Sequence, residues 1–250
     1  MVSASNQAFL PLDGADGAAD RLAWRRLHEL GRTRQFPAGH RVVRSDRTSP
    51  FIHVVITGFL VGEDVTPDGR EVALALLWRG ALFGEAALMQ GRLDSEREGA
   101  PAVRTVTAAR VLSIRAVELQ EALRGDENLR RWLHARLVER IRRAEAMLVR
   151  SRAGSVGDRV EALLCDLARS GPRTTSLAAR TFTQETLARL VGSTRESVNR
   201  AIASLVRDGR LVRVGRGYAV PVTSSPEAWP VRTGPPRVVP RAGPALRPPA

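Results

Sequence analysis

The stretch Thr183-Gln184-Glu185-Thr186-Leu187-Ala188-Arg189-Leu190-Val191-Gly192-Ser193-Thr194-Arg195-Glu196-Ser197-Val198-Asn199-Arg200-Ala201-Ile202-Ala203-Ser204-Leu205 holds two short helical periods parted by one glycine. Thr183 can cap the first helix, whose inner face is Leu187, Leu190 and Val191. Gly192 breaks it and permits a tight turn. The second helix is predicted to begin at Ser193, with Ser193-x-x-Glu196 as a capping box. Val198, Ile202 and Leu205, spaced i, i+4, i+7, bury it against the first. The other face presents Arg195, Glu196, Asn199 and Arg200 near the N-terminal end, the end from which a recognition helix reads bases. Taken singly, Glu196 needs only to cap and the arginines need only be solvated. Together, on one face of a helix–turn–helix frame, they point to duplex DNA. Arg donates two hydrogen bonds to a guanine edge, and Glu accepts one from cytosine N4.

Working outward, Leu211-Val212-Arg213-Val214-Gly215-Arg216-Gly217-Tyr218-Ala219-Val220 reads as a two-stranded hairpin with arginine at its tip. Such a wing can touch backbone phosphates. On the N-terminal side, 156–169 is helical, and Ala153-Gly154-Ser155 is a break suited to an interdomain hinge. Before it, a long helix is expected over 127–152. Leu129, Leu133, Leu137, Ile141, Ala144 and Leu148 recur at spacings of three and four, with Arg and Glu on the other faces. A stripe that narrow suits a two-helix seam; a core-facing helix is the competing reading.

From about 35 to 115 the texture is different. Short apolar runs at 40–44, 51–56, 59–65, 71–78, 103–108 and 111–115 are separated by turn signals such as Pro37-Ala38-Gly39 and Pro67-Asp68-Gly69. This is the pattern of an all-β sandwich or barrel. A short amphipathic helix at 20–31 precedes it and another at 116–124 follows it. The fold class is therefore α+β, with an N-terminal barrel, a long helix and a C-terminal winged helix-turn-helix. Boundaries are expected at 1–19 (disordered), 20–125 (barrel with its flanking helices), 126–152 (long helix), 155–222 (winged helix-turn-helix) and 223–250 (disordered tail). That tail holds eight prolines and four arginines.

Composition agrees with a polyanionic partner. The 250-residue chain carries 39 basic side chains, all arginine, and a net charge of +13. The absence of lysine fits a GC-rich coding bias, which does not account for the excess of basic over acidic groups. The single Cys165 excludes an intrachain disulfide and a cysteine-ligated cluster, and its apolar neighbours suggest a buried small hydrophobe. There is no long apolar run, signal-peptide pattern, metal-ligand spacing, nucleophile motif or phosphate-binding glycine loop. A cytoplasmic protein without enzymatic activity and without a membrane partner is expected.

With these motifs in hand, residues 20–222 resemble the catabolite activator/FNR family of regulators. In the barrel half the resemblance rests on Phe36-x-x-Gly39, Gly58-Phe59-Leu60, Asp68-Gly69-Arg70-Glu71-Val72, Phe83-Gly84-Glu85-x-x-Leu88 and Val106-x-Ala108. In the other half it rests on Val191-Gly192-Ser193-Thr194-Arg195-Glu196-Ser197-Val198-x-Arg200. The resemblance implies a cyclic-nucleotide-binding-type jelly roll, a homodimer joined along the long helix, and two helix-turn-helix units one DNA turn apart. It implies a TGTGA-like half-site, with Arg195 and Arg200 on guanines and Glu196 on cytosine. Thr183, Thr194 and Ser197 match phosphate-contacting positions, and RNA polymerase is an implied partner.

The same resemblance places an effector pocket at Phe83, Gly84, Glu85, Ala86, Arg104, Thr105 and Ala144, with Gly84-Glu85 matching the ribose-binding pair. The Arg-Ser pair that grips a cyclic phosphate is replaced by Ala102 and Val103, leaving Arg104 as a substitute. The segment 90–101 is longer than the family norm, and the adenine-contacting Thr-Ser of the long helix appears as Ala144-Glu145. Loss of a charge-assisted phosphate contact removes about 1.5–3 kcal/mol, so weak or no cyclic-AMP binding is expected and no cofactor is assigned. FNR-like oxygen sensing lacks its cysteines. A haem ligand is not identifiable among His28, His40, His53 and His134. The expected function is a DNA-binding regulator gated by an effector through the barrel; two alternatives stay open, an effector-independent DNA binder with a degenerate barrel and a nucleotide-sensing module with no DNA role.

Overall fold

In a computed structural model, residues 18–44, 49–69, 71–89, 101–170, 182–214 and 217–221 are described. The terminal segments expected to be disordered, the polar loop after 170, the long insertion from 90, Arg70 and the wing tip at 215–216 lie outside them, apart from a few boundary residues. Among the described residues, ten strands and six α-helices follow one another. Helix α1 (Ala18–Leu30) leads into β1 (Arg32–Phe36), β2 (Arg41–Val43), β3 (Phe51–Thr57), β4 (Leu60–Val65), β5 (Glu71–Leu77) and β6 (Leu82–Phe83). A 3₁₀ turn at Glu85–Met89 precedes β7 (Ala102–Thr105) and β8 (Ala109–Arg115). Then come α2 (Ala116–Gly125), α3 (Glu127–Ala153), α4 (Val156–Ser170), α5 (Gln184–Val191), α6 (Arg195–Arg207) and the pair β9 (Val212–Val214) and β10 (Gly217–Ala219).

The N-terminal half is two four-stranded antiparallel sheets packed face to face, ordered β1-β8-β3-β6 and β2-β7-β4-β5. Their shared interior holds Val43, Val55, Leu60, Phe83, Val103 and Val111. The alternation of each strand puts the odd set of β3 inside and Ile52 and Val54 outside, against α1, α2 and the first turns of α3. Strands β1 and β6 were not expected. Arg32-Thr33-Arg34-Gln35-Phe36 is a polar edge strand, exposed at its first four positions, and β6 has only two residues, so neither shows an apolar run.

The second sheet is also covered outside. Val61 and Ala73 share one core with Val160, Leu164, Phe182, Leu187, Val198, Ile202 and Leu205 of the C-terminal helices. Strand β4 is accordingly buried at Leu60, Val61, Gly62 and Glu63, on both of its faces.

Helix α3 divides into two parts. Leu129, Trp132 and Leu133 are buried within the chain, with Trp132 edge-on to Trp24 of α1 at 6.3 Å. The first turns of the stripe expected to form a seam from Leu129 are therefore covered by α1 within the same chain. Val138, Ile141 and Leu148 are 48%, 58% and 52% exposed. Cys165 is buried as expected. Among the described residues no helix is long and apolar enough to cross a membrane.

Candidate nucleic-acid interface and effector site

Helix α5 begins as its sequence requires: the Thr183 hydroxyl accepts from the Thr186 amide at 3.1 Å. It ends at Gly192, whose φ of +61° is the left-handed conformation that glycine adopts without a Cβ penalty. The Ser193 amide donates to Ala188 O at 2.9 Å and closes that turn. Ser193 is thus spent on the end of α5, and the expected capping box does not form. Thr194 caps α6 instead, its hydroxyl accepting from the Ser197 amide at 3.2 Å. Glu196, not needed as a cap, stands exposed in the first turn.

The face of α6 that meets the rest of the chain is closely buried. Val198, Ile202 and Leu205 are at most 3% exposed. Arg195, Glu196 and Arg200 stand on its outer side, with Glu196 and Arg200 one turn apart. Thr183 and Thr194 are exposed and Ser197 half-buried at the α5 and α6 N-termini, where backbone amides and the helix dipole favour anions. Asn199 differs from expectation: it is half-buried, and its side-chain carbonyl oxygen is buried without a hydrogen-bond partner. Strands β9 and β10 pair with Arg213 opposite Tyr218. Arg159 joins the unit to the interdomain break, donating to Val191 O at 2.9 Å and to Gly154 O at 3.1 Å.

The expected effector residues do not all converge. Gly84 has φ +79°, and a Cβ there would meet Phe51 O at 2.7 Å, so this turn is restricted to glycine. Phe83 is buried and stacked on His53 at 4.8 Å. Ala86 is exposed beside Glu85. Thr105 is fully buried; its hydroxyl donates to Pro37 O at 2.6 Å and accepts from the His40 amide at 2.8 Å, so it braces the barrel wall.

Arg104 is not in the pocket. It lies opposite Val61 on the outer face of the second sheet, while Val103 fills the interior. Both Glu63 oxygens accept from its guanidinium at 3.1 Å, and the carboxylate beside it raises its pKa. Alternation explains the misplacement: a residue between inward Val103 and inward Thr105 must point out. Ala144 is exposed on α3. The α3 residue that does reach the turn is Arg140, unforeseen in the sequence. It pairs with Glu85 at 2.6 Å, and Arg143 lies over the Trp78 ring at 4.2 Å. An open depression between α1 and α2, lined by Arg26, Leu30, Val117 and Glu121, touches none of these residues.

His53 faces the barrel interior. Its Nδ1 is 3.0 Å from Ser113 Oγ, its Nε2 is buried without a partner, and burial, with help from Arg34, lowers its pKa to about 4.

A jelly roll joined by a long helix to a winged helix-turn-helix defines a DNA-binding transcription regulator with a cyclic-nucleotide-binding-type domain. Residues 33–126 match the cyclic nucleotide-binding domain, and residues 158–222 match the Crp-like helix-turn-helix domain. The chain belongs to the catabolite activator/FNR family of transcription regulators. It is 28% identical over 198 residues to the CRP-like cAMP-activated global transcriptional regulator of Mycobacterium tuberculosis, a match covering 74% of this chain and 82% of that protein. To the cAMP-activated global transcriptional regulator Vfr of Pseudomonas aeruginosa it is 25% identical over 192 residues, 75% and 88% of the two chains. In fold it is similar to FixK2 from Bradyrhizobium japonicum, with a TM-score of 0.64 at 21% identity over 76% of this chain and 92% of that one. The c-di-GMP responsive global regulator CLP of Xanthomonas campestris gives 0.62 at 24% identity, covering 80% and 99%.

Proposed function

We propose that the chain acts as a homodimer that reads a TGTGA-like palindrome in the major groove. Arg195 and Arg200 meet guanines, Glu196 a cytosine, and Thr183, Thr194 and Ser197 hold phosphates. The observation that carries this reading is the joint exposure of Arg195, Glu196 and Arg200 on a helix whose opposite face is fully buried. Asn199 is left as a flank of that face. The partner helix joins along the second part of α3, where Val138, Ile141 and Leu148 are uncovered. The working boundaries are a sensor domain over 20–125, a dimerising helix over 126–152 and a DNA-binding domain over 155–222. RNA polymerase is the next partner, and the cytoplasm is where the protein works.

The sensor's ligand is a separate matter. The names of the two relatives include cAMP activation, but the geometry here favours an effector-independent binder over a cyclic-AMP switch. Glu85 is engaged by Arg140, Arg104 points away from the interior, and Val103 fills it. Selecting bound duplexes from a random pool tests the DNA reading. Enrichment of two inverted TGTGA-like half-sites is expected, and enrichment of an unrelated motif would defeat it. Adding cyclic AMP is expected to leave the affinity unchanged.

A further inference from the structure

Glu63 lies on the outer face of β4 with its side chain 4% exposed. Two guanidiniums share it. Arg104, from the neighbouring strand β7, holds both oxygens, and Arg189, from α5 of the DNA-binding unit, donates to Oε2 at 3.1 Å. Arg189 also pairs with Glu71 on β5, and Glu71 with Arg41 on β2. A chain of alternating charge therefore runs from the barrel sheet to the helix-turn-helix and back. Apolar contacts surround it: Val61 and Ala73 join the core of the C-terminal helices, and Phe59 meets Phe182 edge-on at 5.3 Å. The reading face of α6 is left open by this docking, since Arg195, Glu196 and Arg200 are exposed.

We infer that Glu63 and Arg189 are positioning residues that seat the helix-turn-helix on the barrel in its DNA-competent pose. Apolar packing alone tolerates sliding, whereas a buried carboxylate held by two directed guanidiniums selects one register. The pose matters because two heads on one rigid dimer must meet half-sites a fixed helical turn apart. A loosely seated head lowers the effective concentration of the second binding event and leaves the first nearly untouched. This inference rests on the dimeric, palindrome-reading function proposed above.

The test uses the full chain and two duplexes, one with the selected palindrome and one with a single half-site. Wild type, Glu63→Gln, Arg189→Gln, the double variant and Arg189→Lys are titrated on both, with thermal midpoints recorded. Each Gln variant is expected to weaken palindrome binding by about tenfold or more and to leave half-site binding nearly unchanged. The double variant is expected to be no worse than either single one, and Arg189→Lys to keep most of the affinity. Arg189 is one-third exposed, so its variants fold even if Glu63→Gln does not. An Arg189→Gln protein whose palindrome affinity is unchanged or raised, or falls equally on both duplexes, overturns the inference. A wild-type chain with no preference for the palindrome strikes down the dimeric reading itself, and this inference with it.

Discussion

His53 shows what one side chain contributes when it faces inward. Stacked on Phe83 and bonded to Ser113, it stays neutral because burial disfavours the imidazolium. Its pKa of about 4 lies below the ordinary 6.5, so between these values the unfolded chain binds a proton that the folded chain refuses. Its contribution is complete above pH 6.5 and is lost as pH falls through about 4, up to about 3 kcal/mol. Stability measured in urea should therefore fall less from pH 7 to pH 4.5 in His53→Phe than in wild type. Identical falls would contradict this assignment. The sequence showed His53 in an apolar run and no more, because its partners come from β6 and β8. Thr194 is a subtler case. Ser193 and Thr194 can each cap, and only the closing of α5 through the Ser193 amide decides between them. Glu85 stands out in the sequence by its Gly-Glu turn, whereas its partner Arg140 is 55 residues away and leaves no local signal.

At the scale of elements, periodicity located the helices well because each buries one stripe: α5 and α6 begin and end within a residue or two of their sequence signals. It could not say which molecule a stripe is buried against. Leu129 and Leu133 continue the same spacing as Ile141 and Leu148, yet the first pair lies under α1 and the second is open. The polar strand β1 was missed for a related reason, since β8 pairs with it by backbone hydrogen bonds that ask little of its side chains. The open second part of α3 makes the seam testable. Ile141→Asp places a carboxylate on a face exposed in the single chain, so the thermal midpoint of the protomer should change little. In sedimentation the variant should run as a monomer at concentrations where wild type is dimeric. A variant that stays dimeric would move the interface elsewhere on the molecule.

For the whole molecule, the two halves form one packed body in which the outer face of a sensor sheet is the floor of the DNA-binding unit. The break at 153–155 suggests a hinge between the halves, while the pairing of Glu63 with Arg189, 126 residues apart, leaves no local signal in the sequence. In the proposed function the excess of arginine supplies general, salt-sensitive attraction to duplex, and three side chains on α6 supply discrimination. These two terms separate in one measurement. Wild type and the Arg195→Ala/Glu196→Ala/Arg200→Ala variant are titrated on the palindrome and on a scrambled duplex of equal length, at two salt concentrations. The variant is expected to bind both duplexes alike and weakly, with affinity that still falls as salt rises. A variant that still prefers the palindrome as strongly as wild type does would contradict it.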